Sequence, residues 1–143
     1  MKKVFGYIWF PLIIGGLSFL VFRYILFFGY VPTSSMEPTI AEGQYIFAVR
    51  MHGELKPGDI IVFRKENEIL IKRITAVGSD TVYVNQTTSQ VSVNQRLDDA
   101  KTLVVPAHQY FVTGDNQKQS LDSRYWKYPF IKQEDIIAKY CLF

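Results

Sequence analysis

Cysteine and histidine are nearly missing from this 143-residue chain, which has one cysteine, Cys141, and two histidines, His52 and His108. A single cysteine closes no internal disulfide, and beside an apolar C-terminus it reads as a small buried hydrophobe. With so few thiol and imidazole donors there is no ligand cluster at metal-site spacing, so no metal and no other cofactor is expected. Neither histidine sits in a setting that looks like a nucleophile–base–acid triad. Charge is scarce at the start, where Lys2, Lys3 and Arg23 are the only ionised side chains before residue 33. The formal net charge of +3 belongs to that stretch, and the remainder carries 13 basic and 13 acidic residues. The basic pI of about 8.9 therefore gives no ground for nucleic-acid binding. No internal repeat or low-complexity segment is present.

What the chain does have is a long apolar run. Residues 4–22 read VFGYIWFPLIIGGLSFLVF without one charge, 19 positions in a row, and roughly 20 such residues cross a bilayer core. A cleaved secretory signal has a shorter core of about 7–15 residues and a small-x-small site after it. Here Phe27-Phe28-Gly29-Tyr30 follow instead. A buried helix of a soluble domain fits this length and aromatic content less well than a single transmembrane helix does. Arg23 is placed to snorkel to the headgroups, and YILFFGYV continues the apolar character to Val31. Tyr7, Trp9, Tyr24 and Tyr30 stand where interfacial aromatics are expected. The division predicted is a membrane anchor over 1–31 and one compact domain over 32–143. Lys2 and Lys3 put the N-terminus on the cytoplasmic side and the domain on the outer face.

Beyond Pro32 the pattern changes to short segments of period two. Strands are predicted at 44–51, 59–64, 68–77, 81–85, 90–94, 102–105, 109–113 and 135–142. Turn signals such as Lys56-Pro57-Gly58-Asp59, Gly78-Ser79-Asp80 and Gly114-Asp115-Asn116 separate them. The expected class is mainly β: one N-terminal transmembrane helix followed by an all-β domain, barrel-like, coiled-sheet or sandwich-like. Residues 86–101 are polar and read as a hairpin end or mobile loop.

Three segments carry chemistry. The first is Thr33-Ser34-Ser35-Met36-Glu37-Pro38-Thr39, just beyond the apolar run. A serine attacks only when a base takes its proton, and the histidines offer none. The second segment, 68–77, supplies another base. There Leu70, Lys72 and Ile74 share one face of a strand, while Ile69, Ile71 and Arg73 share the other. A lysine among apolar neighbours loses its proton more readily, because burial disfavours the ammonium form; an exposed edge-strand lysine is the plainer reading of the same pattern. The third runs from Gly114 to Arg124 and brings Asp115, Ser120, Asp122, Ser123 and Arg124 together. Taken alone it is an Asx-rich turn, in which Arg124 has two candidate ion-pair partners, Asp122 and Asp115, and a serine is placed to reach the lysine amine.

Together these segments resemble the bacterial type I signal peptidases, membrane-bound Ser/Lys endopeptidases that remove signal peptides from exported proteins. Ser35-Met36-Glu37-Pro38-Thr39 looks like the nucleophile box, Pro57 to Phe63 like the strand box that follows it, Ile71-Lys72-Arg73 like the lysine box, and Gly114 to Arg124 like the last box. The resemblance implies Ser35 as nucleophile and Lys72 as general base, with the Ser35 amide and the Thr33 hydroxyl holding the oxyanion. It implies that Ser120 orients the amine and that Asp122, Arg124 and Asp115 support the site. It also implies small residues at the −1 and −3 substrate positions, in apolar pockets for which Ile60, Val62 and Ile71 are candidates. The implied setting is the bacterial plasma membrane, with a single pass, a cytoplasmic N-terminus and an extracytoplasmic catalytic domain. The implied partners are signal peptides and the lipid bilayer, with no nucleic acid and a monomeric enzyme.

The chain departs from the family pattern at Gln117, where arginine is common, and at Gly78-Ser79-Asp80 in place of Pro-Gly-Asp. The short span from Lys72 to Gly114 leaves no room for the extra domain of larger relatives. Two other functions were weighed against this one. A membrane-anchored binding factor with a relic site would lack the serine or the lysine, and both are present. A self-cleaving repressor-type Ser/Lys protease would need a DNA-binding domain or a cleavage loop, and has no use for an anchor.

Overall fold

In the computed structural model the backbone is described from Lys2 to Cys141 and side chains from Trp9 to Cys141. The chain begins with a helix, α1 (Lys2–Tyr24), and continues as ten strands: β1 (Leu26–Tyr30), β2 (Tyr45–Val49), β3 (Ile60–Lys65), β4 (Glu68–Val77), β5 (Thr81–Asn85), β6 (Val91–Val93), β7 (Ala100–Val104), β8 (Gln109–Thr113), β9 (Phe130–Lys132) and β10 (Ile136–Tyr140). All pairings are antiparallel. Seven strands form one sheet in the order β1-β2-β10-β3-β4-β8-β9, and a smaller sheet has the order β6-β5-β7. The mainly β expectation holds. Among the described residues the large sheet is open, because its edge strands β1 and β9 do not pair, so it is not a closed barrel.

The apolar N-terminal run is divided differently from the expectation. The reading that carried the anchor on to Val31 is corrected by β1, which pairs with β2 along its whole length from Leu26↔Val49 to Tyr30↔Tyr45. The physical reason is that Phe27, Phe28 and Tyr30 prefer a pleated surface. The neighbouring strand also supplies the hydrogen bonds that a helix would otherwise provide. Arg50 fixes the switch, its backbone N–H donating to Ile25 O and its Nε to Leu26 O. Over the described residues no helix is long and apolar enough to cross a membrane. The side chains of Lys2, Lys3 and Tyr7, and the terminal Leu142 of the last predicted strand, lie outside the described residues.

The other predicted strands appear close to where they were placed, with β9 unforeseen: its Phe130-Ile131-Lys132 is too short to show a period. The polar stretch 86–101 is ordered into the small sheet, and it contributes β6 and the start of β7. One core lies under β2, β3 and β10 and contains Met36, Ile40, Ile46, Val62 and Ala138. A second lies around Phe63, Ile61, Ile74 and Val112. A third joins the two sheets through Val82, Val84, Val105 and Phe111. The ten-residue β4 runs through the middle of the large sheet, between β3 and β8. That position decides which of its side chains are dry: Leu70 is half-buried while Lys72, Ile74 and Ala76 are buried.

Candidate active site

Ser35 sits in a single 3-10 turn, Ser34–Met36, between the end of β1 and the loop to β2. Met36 anchors this turn by inserting fully into the core, which pulls the adjacent Ser35 down to 5% exposure. Lys72 reaches the same point from β4 and is 4% exposed. Its Nζ lies 2.8 Å from Ser35 Oγ and donates to Ile71 O at 3.0 Å. Thr33 Oγ1 donates to Ser35 Oγ at 3.3 Å. Thus Lys72, 37 residues beyond Ser35 in sequence, joins Thr33 and Ser35 in one cluster.

Burial lowers the Lys72 pKa below that of a free lysine, against the opposing pull of the Asp122 and Asp115 charges. A buried ammonium is favoured only by a nearby unpaired anion, and both aspartates are already paired. Asp122 is fully buried; its carboxylate accepts from Ser120 Oγ (2.7 Å), the Gly114 N–H (2.9 Å), Arg124 Nε (2.8 Å) and a second Arg124 nitrogen (2.8 Å). Burial alone would raise the Asp122 pKa, but the bonds from Arg124, Gly114 and Ser120 outweigh it and hold the carboxyl below its usual range. Asp115 forms the second pair, with Arg73 Nε at 2.8 Å and another Arg73 nitrogen at 2.6 Å. Each arginine thus absorbs an anion that would otherwise hold the proton on Lys72.

The structure chooses among the pairings left open above. Arg124 takes Asp122, and Asp115 turns instead to Arg73, on the face of β4 opposite Lys72. Arg73 also donates to Gly58 O and to Thr39 Oγ1, tying the lysine strand to the segment after the nucleophile. Gly58 adopts φ +96°, which leaves its carbonyl free to accept. Ser120 does not donate to or accept from the amine; its hydroxyl is committed to Asp122, so its influence on Lys72 passes through that carboxylate. Ile60 belongs to the core, while Val62 and Ile71 face the cleft beside the serine.

Sequence reasoning missed three contributors. Arg73 braces the site, and its signal was its place in β4 on the face away from the buried amine. Asn116 donates its N–H to Ser35 O and its Nδ2 to Ser34 O, and Ser34 Oγ donates to Gln119. Gly114 is the third. A Cβ there would stand 2.2 Å from Ser120 Oγ and 2.5 Å from Ser35 O, so only glycine lets the last segment press against the nucleophile turn. Within this segment Ser35 O, Gly114 and Ser120 are in contact, and a single added methyl would part them.

Two clefts flank the pair. One, of about 340 Å³, is walled by Phe27, Val31, Ile46, Val62 and Ile71 and also lined by Ser35 and Lys72. The other opens past Leu70. A reactive hydroxyl, a dry amine within bonding reach and an adjoining apolar groove are the parts a serine hydrolase acting on an extended peptide requires.

Comparison with known proteins identifies the family. The signal peptidase family, peptidase S26, matches residues 4–103 and 88–143. A signal peptidase I of Bacillus amyloliquefaciens is 34% identical over 128 residues, covering 73% of this chain and 69% of that protein. Signal peptidase I T of Bacillus subtilis is 32% identical over 138 residues, covering 79% of this chain and 72% of that protein. The crystal structure of a signal peptidase I from Enterococcus faecalis is similar over 60% of this chain and 96% of that one, with 25% identity and a TM-score of 0.48. The chain belongs to the peptidase S26 family and is an enzyme of the signal peptidase I type.

Proposed function

We propose that this enzyme removes signal peptides from exported preproteins with a Ser35/Lys72 dyad, cleaving after small residues at the −1 and −3 positions. The observation that carries the reading is the 2.8 Å approach of a buried lysine amine to a buried serine hydroxyl. Neutral Lys72 accepts the Ser35 proton as Oγ adds to the scissile carbonyl. The oxyanion then takes hydrogen bonds from the Ser35 amide and the Thr33 hydroxyl, a donor of this kind contributing about 3–4 kcal/mol in serine proteases. The ammonium returns its proton to the departing amine and the acyl-enzyme forms. Lys72, neutral once more, next takes a proton from water as its oxygen adds to the acyl carbonyl, and returns that proton to Ser35 Oγ as the acyl–oxygen bond breaks and the new C-terminal carboxyl leaves. Ile71 O holds the amine in line throughout. The apolar cleft bounded by Val31, Val62 and Ile71 receives the acyl-side residues.

We place the enzyme in the bacterial plasma membrane as a single-pass monomer, with the N-terminus cytoplasmic and the catalytic domain outside. The support is the uncharged run 4–22 within α1, whose 23 residues extend about 35 Å at 1.5 Å per residue, preceded by Lys2 and Lys3. The helix then forms the anchor and β1 begins the catalytic domain, so the division falls near Ile25. The test is cleavage of a preprotein by the full-length chain in proteoliposomes, with sequencing of the new N-terminus. The expected product begins directly after an Ala-x-Ala motif, and Ser35→Ala gives none. Product formation by Ser35→Ala at the unchanged rate refutes the proposal.

A further inference from the structure

Ser35 and Lys72 stand where the two clefts meet. The second, of about 530 Å³, shares Thr33, Ser35, Leu70 and Lys72 with the first and continues in the other direction. A peptide whose acyl side fills the apolar groove by β1 must carry its amine-side residues past Ser35 Oγ into this second space. Its further wall is built from Leu121 and Trp126, with Lys65, Glu66 and Glu68 at the mouth. The mouth carries both signs of charge, so what is selective there is the apolar wall.

Leu121 is 68% exposed, although both its neighbours are buried. Ser120 and Asp122 turn inward to support the lysine, and this alternation throws Leu121 out into the cleft. Trp126, in the same cleft, is held in place by its own neighbours. Its ring meets Phe63 edge-on at 6.2 Å, and the Lys65 ammonium stands 4.4 Å from its centroid while donating to Tyr128 O. A side chain arriving between Leu121 and Trp126 would find one wall already immobilised, which spares the cost of ordering it on binding.

We infer that Leu121 and Trp126 form a seat for an apolar side chain among the first three residues on the leaving-group side of the scissile bond. The enzyme then selects its substrates by the start of the mature chain as well as by the end of the signal peptide. This rests on the proposed Ser35/Lys72 peptidase reading.

The experiment uses the full-length chain and synthetic peptides with one fixed Ala-x-Ala acyl side. The +1, +2 and +3 residues are in turn Leu or Ser, and the readout is the Leu-to-Ser ratio of kcat/KM. The expected ratio is roughly five- to tenfold at one of the three positions, the scale of a few methylenes in a half-open pocket. Leu121→Ser, at an exposed position that leaves folding untouched, should bring the ratio to near one. Trp126→Ala should do the same, with its fold checked by circular dichroism. A wild-type ratio near one at all three positions overturns the inference while leaving the peptidase reading intact, and so does a ratio unmoved by Leu121→Ser. Absence of Ser35-dependent cleavage of every peptide overturns both.

Discussion

Two lysines on neighbouring sheets show what the fold does to a common side chain. Lys72 on β4 is buried, pointed at a hydroxyl and shifted toward its neutral form. Lys101 on β7 of the small sheet is exposed. The aspartates divide the same way: Asp122 is fully buried with Arg124, whereas Asp98, in the polar cleft of the small sheet with Arg96 and Asp99, is exposed. The two regions hold the same residue types, and only in the large sheet are they taken out of water. Chemistry here follows from desolvation, because water screens a surface charge and burial disfavours the ionised form.

The sharpest way to break that comparison is to replace both lysines in turn. Lys72→Met should reduce kcat/KM for peptide cleavage by at least about 10⁴-fold, as loss of a member of a nucleophile–base unit does. Lys101→Met should leave it within about twofold. Replacing the buried amine should also raise the melting temperature at pH values below the Lys72 folded pKa, because the lowered pKa means that the folded state disfavours the charged form. Comparable rates from the two variants would end the assignment of Lys72 as base.

Asp122→Asn against Asp98→Asn comes next in size. The first leaves Arg124 buried without its anion and should cost about 3–5 kcal/mol in urea unfolding. The second, at the surface, should stay within about 0.5 kcal/mol. Equal small losses would mean that the buried pair contributes nothing special.

Gly114→Ala should follow, costing about 1–3 kcal/mol through overpacking. Its more telling effect is a fall in kcat as Ser120 and the Ser35 carbonyl are pushed apart, measured on a variant shown to be folded at the assay temperature.

The smallest effects per step are in pH. With its pKa lowered, Lys72 becomes neutral below the range of a free lysine, so kcat/KM should climb up to tenfold per pH unit and level off once the amine is deprotonated. Stability moves the same way. Between the folded pKa and 10.5 the unfolded chain binds the extra proton, so stability rises with pH through that window. Asp115 and Asp122, both lowered, act at the other end: their contribution is complete above the ordinary carboxylate range and is lost as pH falls through their folded values. A pH-independent kcat/KM with chemistry rate-limiting would contradict a lysine base.

Much of this was legible in advance because local rules reported it. The period-two segments placed eight of the ten strands, and alternation along 68–77 correctly put Lys72 with Leu70 and Ile74 on the inward face. β1 was hidden because a continuous apolar run gives no internal mark of where a helix stops and a paired strand begins. The mark was Arg50, twenty-four residues away from Leu26. The partner of Asp115 was hidden for a related reason. Arg124 is near in sequence, but Arg73 is near in space only once β4 and β8 have paired.

By itself the sequence determined the mainly β class, and it pointed to Ser35, Lys72 and the 114–124 segment as the residues to look at. All of these follow from side-chain chemistry and short-range periodicity. Tertiary structure decided which aspartate each arginine pairs with, that the Ser120 hydroxyl goes to Asp122, and that Ser35 and Lys72 lie between two clefts. The Ser35–Lys72 and Arg73–Asp115 contacts join residues 37 and 42 apart in sequence. They depend on which groups are desolvated together, and no local pattern encodes that.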